Sequence, residues 1–247
     1  MNRRASGVLL PVYALPSPHG IGTLGRAAYD FADFLHAAGQ RCWQMLPLGQ
    51  TGFGDSPYQS FSSFAGNPYF IDLDLLVEDG LLTGDEADAC CAGINPRYVD
   101  YGRLYTERFA VLEKAFHRGW LRDREQVECF LRENAAWLSD YADFMTLKDR
   151  FGSQPWTAWP EPFRRRTGPD YAAAVAACGE IVRRHPGHRC GAAPVIQREK
   201  LRRSPHIAGI RSHIDRQIAN DGDILLPQIR PQGVPLLKKQ ILQIDIK

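Results

Sequence analysis

The chain has 247 residues, 44% of them apolar and 11% aromatic, and a formal net charge of +2. That composition excludes a disordered chain and supplies enough core for one large domain or two small ones. The longest apolar runs, such as Gly7–Leu10, are far too short to cross a bilayer, and the near-neutral charge gives no global pointer to nucleic acid or a membrane surface. Six cysteines, at 42, 90, 91, 129, 178 and 190, form no Cys-x-x-Cys pair and read as reduced thiols. The start, Met1-Asn2-Arg3-Arg4 and then Gly7–Leu15, has the outline of a signal peptide. Pro11 interrupts its apolar stretch and no cleavage site follows, so the expected location is cytoplasmic.

In chain order, Gly7–Tyr13 predicts a short buried strand, closed by Pro16-Ser17-Pro18. Leu24–Ala38 predicts an amphipathic helix, with Leu24, Ala27/Ala28, Phe31, Phe34/Leu35 and Ala38 on one face and Gly39 as its stop. Cys42–Leu46 predicts a second strand, ended by Pro47. Strand, helix and strand in this order predict a βαβ unit with parallel strands. A loop of Gly, Ser, Pro and aromatic residues follows over Gly49–Asn67, and a loop of that length in a compact domain is usually functional. After Tyr69–Leu73 the pattern turns helical. Thr83-Gly84-Asp85-Glu86 has the spacing of a capping box, Tyr101–Phe116 is periodic, and Val127 to Met145 marks one long helix or two in series. Phe151-Gly152 ends that region, and Pro155–Pro162 reads as irregular. Beyond Tyr171 only Ala172–Cys178 reads as helix and Ile241–Ile246 as strand.

Composition breaks at Tyr171. Residues 1–171 hold all 26 aromatic side chains, and residues 172–247 hold none. The second part carries 13 Lys/Arg and 6 Asp/Glu, against 17 and 22 in the first, so the two parts have opposite net charge. Such a segment is either a basic tail or small second domain, or a stretch translated out of its reading frame and never selected to pack.

Four motifs invite chemistry. Gly20-Ile21-Gly22-Thr23-Leu24-Gly25 fits the dinucleotide-binding spacing and would suggest an NAD-type oxidoreductase. The turn is too long, however, and the acidic residue expected after the second strand is replaced by Gln44-Met45-Leu46-Pro47. Cys178, His185, His188 and Cys190 are zinc-ligand types at a spacing that matches no usual knuckle, among arginines that repel a cation, so no metal is expected. Arg198–Arg203 lacks the aromatic partners of a nucleic-acid surface. The loop Gly52-Phe53-Gly54-Asp55-Ser56-Pro57-Tyr58-Gln59-Ser60 is the richest site. Its small residues, hydrogen-bonding side chains and tyrosine suit a sugar, which has apolar faces and a rim of hydroxyls. The same residues also suit an Asx- and Ser-stabilised turn system.

The motifs Arg4-Ala5-Ser6-Gly7-Val8-Leu9-Leu10-Pro11, Leu15-Pro16-Ser17-Pro18-His19-Gly20-Ile21-Gly22-Thr23-Leu24-Gly25 and Trp43-Gln44-Met45-Leu46-Pro47-Leu48-Gly49 resemble the amylomaltases. These are the 4-α-glucanotransferases, or disproportionating enzymes, of glycoside hydrolase family 77. Gly54-Asp55-Ser56-Pro57-Tyr58-Gln59-Ser60 and Ala65-Gly66-Asn67-Pro68-Tyr69-Phe70-Ile71-Asp72-Leu73 resemble them too, and the likeness runs from about residue 4 to 165. The resemblance implies an α/β fold: the N-terminal part of a (β/α)8 TIM-type barrel, with an all-helical insertion. Residues 1–75 would hold the first βαβ unit with the substrate loop 49–69, residues 76–165 the helical insertion, and 166–247 an unrelated basic tail, out of frame or disordered. A barrel with two of eight strands would be incomplete, with open edges.

The implied activity transfers an α-1,4-glucan segment between maltooligosaccharides by a retaining double displacement, without a cofactor and with no metal, nucleic acid or membrane. The family's nucleophile, acid/base and third carboxylate lie beyond this chain's last residue, and none of their sequence surroundings occurs here. No catalytic residue is therefore assigned. Ser56 and Tyr58 match family residues that contact sugar, and Asp55 and Gln59 are the further candidates for substrate binding. A chain of this kind would be a truncated, inactive piece of the enzyme or a non-catalytic glucan-binding module.

Overall fold

The computed structural model describes residues 6–184 and 242–245. Strand β1 (Gly7–Leu9) leads through the helix α1 (Arg26–Ala37) into β2 (Cys42–Met45), and the two strands pair in parallel with Val8 opposite Trp43. This is the expected βαβ unit. β1 is shorter than its apolar run. Pro11 has no N–H to continue the ladder, and its carbonyl instead accepts the Ala14 N–H of a 3-10 turn over Val12–Ala14. β1 also lies half exposed rather than buried, with Leu9 55% open. β2 is the inner strand. Trp43 and Met45 face the core, the Trp43 indole N–H donates to the Leu10 carbonyl at 2.8 Å, and its ring meets Phe31 of α1 edge-on at 4.9 Å.

β2 has a second neighbour, β3 (Leu242–Asp245), which runs antiparallel to it with Trp43 opposite Ile244. The sheet order is β1-β2-β3, so the described sheet is mixed. The strand expected over Ile241–Ile246 is thus present.

α1 starts after Gly25, where Asp72 presses close: a Cβ there would lie 1.9 Å from Asp72 Oδ2. Asp72 also caps α2 (Leu73–Glu78) by accepting the Leu75 N–H, and it takes the Thr23 hydroxyl at 2.5 Å. α3 (Gly84–Ala89) opens on the predicted capping box, with Thr83 Oγ1 accepting the Glu86 N–H and Glu86 Oε2 accepting the Thr83 N–H. Arg118 clamps the same carboxylate at 2.5 and 2.9 Å. The pair draws Glu86 down to about pKa 2, chiefly through the Arg118 hydrogen bonds.

The Tyr101–Phe116 periodicity forms one rod with an irregularity inside it. α4 (Tyr101–Arg103) passes through a π turn, Leu104–Arg108, into α5 (Phe109–Arg122). Leu104 and Arg108, at the two ends of this turn, are both fully buried. The Arg108 guanidinium donates to the His19 carbonyl at 3.2 Å and to the Ile71 carbonyl, which ties the helical layer to two loops of the βαβ unit. One continuous core cluster accordingly runs from Val12 through Trp43, Leu73 and Leu104 to Ala115.

The region after Val127 is two helices in series, α6 (Arg124–Glu133) and α7 (Ala135–Arg150), broken at Asn134. They form a second cluster, which also takes in Ala65 from the long loop. Pro155–Pro162 is more ordered than its composition suggests, with a 3-10 turn over Trp156–Ala158 and then α8 (Glu161–Arg165), started at Pro160. The helix predicted over Ala172–Cys178 is the middle of α9 (Pro169–Arg184). Ala174 of α9 closes a third cluster with Leu147 and Trp159, so the helix runs unbroken through the compositional boundary at Tyr171. His185, His188, Cys190 and Arg198–Arg203 lie outside the described residues.

Candidate functional site

The loop over Gly49–Asn67 forms no helix or long strand, as its composition predicts, yet it has a defined shape. Its neck is closed by a bridge between Gly49 and Gly66 and by the Asn67 N–H donating to the Leu48 carbonyl at 2.8 Å. Within it two turns follow each other, Asp55 N–H to the Gly52 carbonyl and Gln59 N–H to the Ser56 carbonyl, both at 3.1 Å. Asp55 takes a left-handed φ of 52°, a conformation that Asp tolerates better than most residues. Ser62 Oγ accepts the N–H groups of Phe64 and Ala65, and Asn67 Oδ1 accepts that of Tyr69. The turn system foreseen for Asp, Ser and Asn is therefore real, and it serves to mould a wall.

That wall encloses a cavity of about 1020 Å³, between the loop, the π turn and the C-terminal end of α7. The volume is at the upper end of the range for small-molecule sites. Aromatic rings make up much of the lining, among them Phe53, Phe61, Tyr69, Tyr101 and Tyr105. Phe53 is fully exposed and Tyr105 is 41% exposed. Polar side chains stand between the rings, among them Gln50, Thr51, Asp55, Gln59, Lys148 and Asp149. Lys148 holds its ammonium 5.0 Å above the Phe61 ring and donates to the Ser153 carbonyl at 2.9 Å, and burial lowers its pKa. Burial raises the Asp55 carboxyl. Burial first, and then the charge of Asp55, push the Tyr101 hydroxyl up to about 12, so it stays a neutral donor at any ordinary pH.

Of the residues singled out from sequence, the structure brings Asp55 and Gln59 to this cavity. Ser56 and Tyr58 lie on the same loop outside its lining, with Tyr58 56% exposed. Gln50, Thr51, Tyr101, Tyr105 and Lys148 come to the cavity without having been singled out. Only the aromatic and polar mixture of the loop hinted at the first two, and the other three arrive from helices far along the chain. Among the described residues no group of three His, Cys, Asp or Glu side chains is placed to hold a metal ion, and no helix is long and apolar enough to cross a membrane. The glycine motif Gly20–Gly25 offers no phosphate cradle, because the space against Gly25 is filled by the Asp72 carboxylate, itself an anion.

Known proteins match this chain closely. A 4-alpha-glucanotransferase of Streptococcus pneumoniae serotype 4 is 48% identical over 162 residues, which is 65% of this chain and 32% of that protein. One from Thermus thermophilus is 47% identical over 187 residues, 74% of this chain and 36% of that protein. Among solved structures, the amylomaltase of Streptococcus agalactiae in complex with acarbose superposes with a TM-score of 0.69 at 40% identity, covering 76% of this chain and 39% of that one. The chain thus spans about a third of the length of the curated relatives it matches. The family model described as 4-alpha-glucanotransferase matches residues 10–185, well past Tyr171 and through α9. That match covers more than half of the sequence, and the chain belongs to the 4-alpha-glucanotransferase family.

Proposed function

We propose that this chain forms the part of a 4-α-glucanotransferase that holds maltooligosaccharide, using the loop Gly49–Asn67 and the helical wall facing it. The observation that carries this reading is the cavity: aromatic rings spaced around about 1020 Å³, with hydrogen-bonding polar side chains between them. Rings such as Tyr105 and Phe53 offer apolar faces to the C–H sides of glucose units. The Tyr101 hydroxyl and the Asp55 and Gln59 side chains offer hydrogen bonds to the hydroxyl rim. Half-buried Ser56 and exposed Tyr58, beside the cavity, extend the same surface and contact the glucan where it leaves. The acarbose complex of the Streptococcus agalactiae amylomaltase supports an oligosaccharide-like ligand for this family.

In the whole enzyme the reaction is a retaining transfer. One carboxylate attacks the anomeric carbon, a second protonates the leaving oxygen, and a 4-hydroxyl of an acceptor sugar completes the exchange. We assign none of those carboxylates to this chain, so alone it binds glucan without transferring it. We read the compositional break as a lost reading frame, and the family likeness over residues 10–185 supports a place for it after that stretch rather than at Tyr171. Sequencing the coding DNA in all three frames downstream of that point tests this, and finding the missing strands in none of them overturns it.

The function is tested by calorimetric titration of the 247-residue protein with maltoheptaose, together with an assay for conversion of maltotriose into glucose and longer products. Saturable binding without conversion is expected. Robust conversion would overturn the assignment of a binding role only, and absence of binding would overturn the whole reading. Tyr58→Phe keeps the ring and is expected to weaken binding by roughly tenfold or less, the worth of one neutral hydrogen bond of ~0.5–1.5 kcal/mol. Tyr58→Ala should weaken it clearly more. Wild-type affinity in both variants removes Tyr58 from the site.

A further inference from the structure

Gln50 begins the loop and is 7% exposed, an unusual depth for an amide side chain on a loop. Its Oε1 accepts a hydrogen bond from the Tyr141 hydroxyl of α7, 91 positions away in the chain. Tyr141 is itself 6% exposed and sits in the second core cluster. A buried phenol that donates to an amide oxygen fixes which way the amide faces, because the oxygen and the NH2 group occupy opposite corners of one plane. Gln50 also lines the cavity, and among the described residues no hydrogen bond to its Nε2 is found. Next to it, Thr51 lines the same cavity and has a buried hydroxyl without a partner among the described residues.

We infer that Gln50 is a ligand-contacting, specificity-determining residue of this cavity, with its NH2 group turned by Tyr141 to donate to a sugar hydroxyl at the inner end. Thr51 Oγ1 supplies the adjoining acceptor. The inference rests on the glucan-binding reading above and names the group that selects a hydroxylated ligand over an apolar one of the same size. The aromatic part of the wall, by stacking alone, tolerates many rings. A pinned donor and a hydroxyl left unpaired without ligand penalise any ligand that cannot pair with them.

The test titrates maltoheptaose into the full chain and into Gln50→Met, Gln50→Glu and Tyr141→Phe, with thermal melts of each. Gln50→Met matches the volume and removes both hydrogen-bonding ends. Gln50→Glu keeps an acceptor for the Tyr141 hydroxyl and replaces only the donor. Both are expected to weaken binding roughly three- to tenfold, the range of one neutral hydrogen bond. Tyr141→Phe frees the amide to turn and should weaken binding by less than the Gln50 variants do. A purely structural role would lower the melting temperature and leave the affinity of the folded protein at its wild-type value. Unchanged affinity in either folded Gln50 variant, with wild type binding normally, overturns the inference alone. If Gln50→Met does not fold, Gln50→Glu decides. Failure of wild type to bind overturns both the inference and the reading beneath it.

Discussion

The loop Gly49–Asn67 and the helical layer α3–α5, which reaches the cavity through α4, the π turn and the start of α5, are held in opposite ways. The helices carry their own stops and starts, such as the Thr83–Glu86 capping box, and bury rows of apolar side chains. The loop buries little of its own and is shaped by side-chain-to-backbone bonds at Ser62 and Asn67 and by tethers at its ends. A wall of the first kind resists change because stability is spread over many contacts. A wall of the second kind can change its surface residues without touching the core. The difference predicts that stability and ligand affinity separate by side of the cavity.

The strongest way to break that prediction is in the core behind the loop. Leu73 is fully buried, and Leu73→Ala should cost about 2–5 kcal/mol through lost burial and an unfilled cavity. Urea unfolding measures the loss, and the affinity of the folded fraction for maltoheptaose should stay at the wild-type value. Tyr105 sits on the helical side yet lines the cavity, so it sharpens the comparison from within one element. Tyr105→Ala should lower affinity by roughly tenfold, ~1.4 kcal/mol, with a smaller change in melting temperature. A fall in melting temperature with intact affinity would place this ring in the scaffold instead.

Thr83→Ala removes the hydroxyl that caps α3, and it should cost about 1 kcal/mol of stability without touching binding. The smallest effect is a pH dependence. Folding lowers the Glu86 pKa from 4.5 to about 2, so the stability its pairing with Arg118 supplies is complete above 4.5 and is lost as pH falls towards 2. Melting temperatures taken from pH 6 down to 2 should fall less steeply in Glu86→Gln than in wild type. Equal slopes would show that the exposed pair contributes nothing measurable.

What sequence reasoning could read follows from range. The βαβ unit, the capping box and the loop are encoded within short windows by apolar spacing, turn residues and one side chain reaching three positions along, and all three are found. Gln50 and Tyr141 meet across 91 positions, and no local pattern could pair them. Arg108 shares the helical spacing of the buried Leu104, Leu112 and Ala115, but a charged residue in a sequence ordinarily marks the solvent side, and the carbonyls of His19 and Ile71 that satisfy it come from distant loops. Trp159 and Phe163 sit in a stretch that looked irregular, yet they seal the third cluster under α9. Ser56 and Tyr58 stood out by likeness to a motif, whereas the cavity wall is set by what approaches from α4, the π turn and α7.

Arg108 has one further consequence. A guanidinium does not give up its proton in a protein, so this part of the interior carries a fixed positive charge at every pH at which the chain folds. Its hydrogen bonds go to neutral carbonyls, while Cys90, Cys91 and Asp72 are the nearby groups whose charge would favour it. Around Arg108, tolerance of sequence change should therefore be sorted by sign of charge before size. A neutral replacement at Cys90 or Cys91 leaves the potential unchanged and an acidic one makes it more favourable, whereas a lysine meets a like charge. The interior around this residue is in effect polarised, and drift in the surrounding sequence can move in only one electrostatic direction.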